Sequence, residues 1–395
     1  MSLFEFTQNR IMKFLSKKTI IAIGCLAASV LTANAQSLTK DKFGKGLKVL
    51  AADSSFYMKA SLRLQNRYDG VLLDGDYTDQ MFLRRARIKF DGFAYSPKVV
   101  YKLEADIVAG EIKDAVVKWN FYKKFVLWAG QTKLPGNRER VISSQKLQFV
   151  DRSQLNSKFT LDRDKGLQLR HSFKIGKMLV REAVAVSQGE GPNQRDKKFS
   201  STPELNGKQY TFRMEFLPFG KFTGKGDYFG SDLKREEKPK LSIAGTYDFN
   251  NNAIRSQGNL KYFLKESRDI RSYFADFMFK YKGFSVMGEY ALRNTNNNRA
   301  IERSDEEGEF VSIYTGDAIN LTAGYLLKNN VEIAGRFTQV NPDAITGKTT
   351  LKEYTLGLSK YIVGHSLKVQ SDFTLRQEEG KDDLFEFRLQ CEVSL

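Results

Sequence analysis

From residue 56 onward the chain alternates apolar and polar side chains with a period of two, segment after segment. Between Tyr57 and Tyr68, Met58, Ala60, Leu62 and Leu64 share one face, and Lys59, Ser61, Arg63, Gln65 and Arg67 share the other. Further on, Ala86, Ile88 and Phe90 oppose Arg85, Arg87 and Lys89, and near the end Phe385, Phe387, Leu389 and Cys391 oppose Glu386, Arg388 and Gln390. Strict alternation of this kind predicts strands with one greasy face and one wet face. Polar turns rich in Gly, Asn and Asp separate them, and about sixteen such segments can be counted, an even number in the range of transmembrane barrels.

A soluble sandwich shares this period, so other features must decide. Tight turns such as Tyr281–Phe284 and Leu327–Asn330 contrast with long polar connections around 187–208, 218–240, 294–317 and 341–351. Short turns at one rim and long loops at the other are a barrel's arrangement. Tyr57, Tyr68, Phe121, Phe173, Tyr247, Tyr281 and Tyr361 recur near the ends of apolar faces, as a headgroup girdle would. The last strand ends apolar at Leu395. The fold expected is an all-β transmembrane antiparallel barrel over residues 56–395. The stretch from Lys133 to Phe159 breaks the alternation yet carries Leu147, Phe149, Val150 and Leu155, which predicts an ordered loop, about 134–160, folded into the lumen.

The N-terminus sets the compartment. Lys13, Lys17 and Lys18, an apolar run from Thr19 to Leu31, and Ala33-Asn34-Ala35 read as a signal peptide over residues 1–35, with Met12 as its better start. Residues 36–55 are expected to be an N-terminal periplasmic segment, and Cys25 lacks a lipoprotein lead-in. Cleavage would remove four basic residues and Glu5, so the formal charge falls from +17 to +14. Only Cys391 would survive it, which excludes an intrachain disulfide. No later segment has the ~20 apolar residues of a membrane helix, so any membrane crossing must be made by strands. The positive charge points to anionic partners, but export removes the chain from nucleic acid.

The chain resembles the phosphate-selective porin O and P family in Phe82–Gly92, Tyr101–Asp106, Gly130–Pro135, Ser143-Ser144 and Phe149–Ser153, which follow one another in that family's order. The resemblance covers roughly the first third of the mature chain. It implies a sixteen-stranded outer-membrane barrel of a Gram-negative bacterium, usually a homotrimer, whose inward loops make a basic constriction. Carried over residue by residue, it implies that Arg84 and Arg85 are the family's paired arginines. Ser143, Ser144 and Arg152 match constriction-loop positions that contact anions, with Arg138 and Arg140 in the adjoining basic stretch. The family's central arginine ladder is not recognisable here. Alternation itself turns Arg63, Arg67, Arg85, Arg87 and Lys89 toward the lumen, along with Lys102, Lys118, Arg170, Arg213, Arg293, Arg336, Lys368 and Arg388.

An anion entering a narrow pore loses hydration, and guanidinium forks replace lost water with charge-assisted hydrogen bonds. Inward acids such as Glu104, Asp106, Glu215, Glu289 and Glu332 are expected to cancel more than half of those bases. The reading is a porin for passive diffusion of small anions, phosphate or polyphosphate among them, with outer-membrane lipid outside. The alternatives are a general diffusion porin, a barrel enzyme and a secreted anion-binding β-protein. His171 and His365 stand in no Ser–Asp context, which argues against a hydrolase. No catalytic residue, metal site or cofactor motif stands out.

Overall fold

The computed structural model describes residues 43–192 and 206–395. The expected signal peptide lies outside them, as do residues 36–42 of the segment that follows it. In chain order the strands are β1 (Leu47–Leu50), β2 (Phe56–Leu73), β3 (Asp76–Ala94), β4 (Ser96–Asp106), β5 (Glu111–Tyr122) and β6 (Phe125–Lys133). Next come β7 (Arg163–Ile175), β8 (Met178–Ser187), β9 (Gln209–Leu217), β10 (Lys240–Gln257), β11 (Leu260–Tyr281) and β12 (Phe284–Thr295). A small hairpin, β13 (Ile301–Glu302) and β14 (Phe310–Val311), precedes β15 (Gly316–Leu326), β16 (Val331–Pro342), β17 (Leu351–Val363), β18 (Leu367–Glu378) and β19 (Leu384–Ser394).

Leaving out β1 and the small hairpin, sixteen strands pair antiparallel with their neighbours, and β19 returns to β2 to close the ring. Closure is what lipid demands, because an unpaired backbone amide or carbonyl in hydrocarbon costs several kcal/mol. The shortest barrel strands have 9 residues and the longest 22, enough for the ~9–11 that a tilted crossing needs. β1 pairs with the start of β2, Leu47 opposite Ala60, and so continues the row that β19 leaves at Ser394 opposite Arg63. The described end of the expected periplasmic segment therefore joins the wall.

The predicted alternation holds around the ring. On β17, Tyr354, Leu356 and Leu358 are exposed while Glu353, Thr355 and Ser359 are buried. On β19 Cys391 is exposed between buried Gln390 and Glu392. Two girdle expectations need correction. Tyr361 points inward, fully buried, and its hydroxyl donates to Glu332 at 2.6 Å. Tyr57 shares the inward alternation of Lys59 and Arg63 and stacks on Phe93. An aromatic at a strand end can serve lumen or lipid, and only the register decides.

One departure from alternation matters for function. On β3, Arg85 lies opposite Gln65 but Leu83 lies opposite Asn66, so Arg84 is the extra residue of a β-bulge. A regular strand would send one of two adjacent arginines into lipid. The bulge turns both to the lumen, where Arg84 comes within 3.6 Å of the Asp151 carboxylate.

Strand parity sorts the connections. The long ones at 134–162, 296–315 and 343–350 gather at one rim, here called distal, where β8 also ends and β9 begins. Short turns such as 123–124, 176–177 and 282–283 gather at the proximal rim, where β2 begins and β19 ends. The connection 218–239 is the exception, a long segment at the proximal rim.

Candidate functional site

The connection between β6 and β7 folds into the lumen as the sequence predicts. It carries α1 (Arg138–Val141), a 3-10 turn at Ser144–Lys146 and α2 (Gln154–Phe159). Two serines start the last two elements: Ser143 accepts from the Gln145 amide, and Ser153 accepts from the Asn156 amide at 3.2 Å. Apolar side chains then seat the loop on the far wall. Leu134, Leu155, Phe159 and Leu161 pack with Phe274 on β11, Ala291 on β12, Ala318 on β15, Val340 on β16 and Leu351 on β17.

Polar tethers fix it further. Arg138 Nε donates to Asp276 at 2.6 Å, and its Nη2 donates to Ser242 Oγ at 2.9 Å. The Val150 amide donates to Asp372 at 2.9 Å, and Gln148 donates to Glu332 at 2.8 Å. Arg293 donates to the carbonyls of Lys158 and Phe159, and Arg336 to that of Asp151. Glu139 accepts from the amide and hydroxyl of Ser153, joining the two helices. Replacing Arg138 with alanine should lower stability by about 2 kcal/mol, because the buried Asp276 carboxylate keeps Arg213 but loses one of its two guanidinium partners. Heat-induced loss of the folded gel mobility checks this; wild-type melting would assign the seating to the apolar contacts alone.

The loop leaves the lumen eccentric. Inward side chains on its wall are sealed, with Arg336 1 % and Lys368 0 % exposed. On β3 and β4, Lys89 stays 33 % and Lys102 27 % exposed. The wetted side of the lumen includes the wall at β3 and β4.

The residues expected at the site divide into two groups. Arg63, Arg67, Arg84, Arg85 and Ser144 come together. Arg63 Nη1 donates to Ser144 Oγ at 2.9 Å while its other nitrogens hold Glu392. Arg67 bonds Asp69 and Asp151. Arg85 donates to Gln65 at 2.7 Å and has no carboxylate in salt-bridge range among the described residues. Asp151 sits amid these cations. Burial opposes its charge, but Arg84, Arg67, Arg85 and Arg388 outweigh burial and hold this loop carboxyl well below the usual range. The others lie apart as loop anchors: Arg138 on Asp276, Arg140 on Asp162, and Arg152 on the carbonyls of Glu139 and Ile142. Ser143 caps its turn. Arg87 is taken by Glu104 and Asp106, and Lys89 by Asp91. Of the thirteen inward bases expected, nine carry acid partners, and among the described residues Arg85, Lys118, Arg170 and Arg293 have none in salt-bridge range.

From its residues, the Gly-rich stretch Gly220–Gly230 reads as a flexible loop. In the structure, 218–239 docks inward from the proximal rim and meets the first loop. The Gly230 amide donates to the Lys146 carbonyl at 2.8 Å, and Arg138 donates to the Asp227 carbonyl at 3.1 Å. Lys280 on β11 ties the segment down, donating to the carbonyls of Gly226, Phe229 and Ser231 at 2.7–2.9 Å. Lys146 lies over the Phe229 ring at 3.7 Å. Counting strands in order would have placed this connection at the proximal rim.

Among the described residues no cluster of His, Cys, Asp and Glu could hold a metal ion, and no helix is long and apolar enough to cross a membrane.

Residues 58–383 match the family described as phosphate-selective porin O and P. No curated protein matches at a significant level. Among solved structures, the chain is similar to OmpF of Salmonella typhi in complex with daunomycin, with a TM-score of 0.53 at 12% identity, over 87% of this chain and 99% of that one. It is similar to the anion-selective porin of Comamonas acidovorans, with a TM-score of 0.52 at 9% identity, over 86% and 99%. It is also similar to the trimer form of OmpT, an outer-membrane protein of Vibrio cholerae, with a TM-score of 0.51 at 10% identity, over 85% and 99%. At these identities the likeness is one of fold.

Proposed function

The chain belongs to the phosphate-selective porin O and P family, and from that premise we propose that it is an outer-membrane diffusion pore preferring small anions, phosphate among them. The observation that carries this reading is the bulge on β3. It brings Arg84 and Arg85 side by side to the lumen, Arg84 partly exposed and Arg85 buried beside it, and among the described residues no carboxylate lies in salt-bridge range of Arg85. A permeating anion meets fixed guanidiniums where water is scarce, and their planar forks offer paired donors to an oxyanion. Ser144, already held by Arg63, adds a hydroxyl.

Passage is passive diffusion through water, and nothing in this reading requires a cofactor or a covalent step. The proximal rim faces the periplasm, residues 1–35 are removed on export, and the pore assembles as a homotrimer in outer-membrane lipid. The OmpT trimer form gives a precedent for that assembly on a similar fold.

A general diffusion porin without phosphate specificity is the second reading. Asp151 among the arginines and the many acid-paired bases of the wall favour it. Planar-bilayer recording of the purified protein tests both. Under a potassium chloride gradient the reversal potential should favour chloride; a cation preference or absence of conductance would sink the pore reading. Block of the chloride current by inorganic phosphate at low concentration supports phosphate specificity, and its absence leaves the general anion route.

A further inference from the structure

Four inward bases carry no carboxylate, and two of them have evident duties. Arg293 holds loop carbonyls, and Arg85 belongs to the cluster beside Arg84. Lys118 on β5 and Arg170 on β7 are the other two. They flank one inward side chain of the strand between them, Trp128 on β6. The Lys118 ammonium lies 3.8 Å from the Trp128 ring centre and the Arg170 guanidinium 4.1 Å from it. Arg170 Nε and Nη2 donate to Gln168, while Nη1 has no partner among the described residues. Arg170 also lines a cavity of about 210 Å³ with Arg181, Arg213, Tyr228 and the carboxylates Glu182 and Glu215, of which Glu215 is engaged by Arg181, Arg213 and Tyr228. The nearest inward acid on β5, Asp114, is occupied by Lys102 and Arg163.

Elsewhere on this wall Arg63, Arg67, Arg87, Lys89 and Lys102 are held in place by acids, which cancel their field. An indole holds a cation through its ring quadrupole and brings no formal charge. We propose that Trp128 is a positioning residue that fixes Lys118 and Arg170 as an uncancelled cationic step for a small oxyanion, three strands round the wall from Arg84 and Arg85. The step rests on the anion-pore reading.

The test uses the purified full-length barrel in planar bilayers, with reversal potential under a potassium chloride gradient and block of chloride current by inorganic phosphate. Trp128→Leu should lower the chloride-over-potassium permeability ratio about threefold and weaken phosphate block by a similar factor. Trp128→Phe should restore most of both, since its ring still holds the cations. Lys118→Gln with Arg170→Gln should match or exceed the leucine variant. Folded gel mobility is compared for each. A leucine variant equal to wild type, or a phenylalanine variant as impaired as leucine, overturns the proposal. Wild-type protein without anion preference would instead overturn the reading beneath it.

Discussion

Replacing Arg84 and Arg85 together with glutamine should lower the chloride-over-potassium permeability ratio about tenfold, the result of weakening an anion's stabilisation by ~1.4 kcal/mol. Two unit charges near a partly dehydrated ion are each worth more than that at close range, and counter-ions and Asp151 already remove part of it. Arg85 is bonded to a neutral amide and Arg84 meets Asp151 at 3.6 Å, so their field is cancelled only in part. Asp151→Asn tests the same electrostatics from the other side. It deletes the loop carboxylate that Arg67 and Arg84 share and should raise anion preference. Reversal potentials under a salt gradient measure both. An unchanged value in the double glutamine variant would mean that ions pass by another route.

Excising residues 219–239, with Asn-Gly in their place between Pro218 and Lys240, should roughly double single-channel conductance and admit larger neutral sugars in liposome swelling. The segment docks inward from the proximal rim and is bonded directly to the first loop, Gly230 to Lys146 and Asp227 to Arg138. Point variants give an independent arm. Lys280→Met cuts three bonds to the segment's carbonyls. Gly230→Val forces a β-carbon against the Gln148 amide nitrogen, 2.9 Å away, and the Lys146 carbonyl, 3.1 Å away. Both should yield noisier, larger conductance. Wild-type conductance in all three would place the narrowest point elsewhere.

Alternation made the wall legible because each inward position demands polarity and each outward one demands grease, and the phase persists along whole strands. The fold and the inward face were therefore readable before any coordinates. The site was only half readable. Arg84 was named through resemblance, while the period alone would have put it in lipid; a bulge leaves no mark on side-chain chemistry. Arg138, Arg140 and Arg152 look like anion ligands in sequence because nothing there reveals Asp276, Asp162 or the carbonyls that engage them. Trp128 was invisible for the opposite reason. An aromatic on a strand reads as lipid-facing until the register turns it inward beside Lys118.

The thiol of Cys391 stands on the outer face of β19, opposite Asn66 on β2 and Val369 on β18. Its neighbours along the strand point the other way. A membrane-soluble maleimide should find it, whereas a charged sulfonate reagent travelling through the pore should not. The chain thus holds its own reporter of inside and outside, and the last strand can be followed chemically as it leaves water for the hydrocarbon.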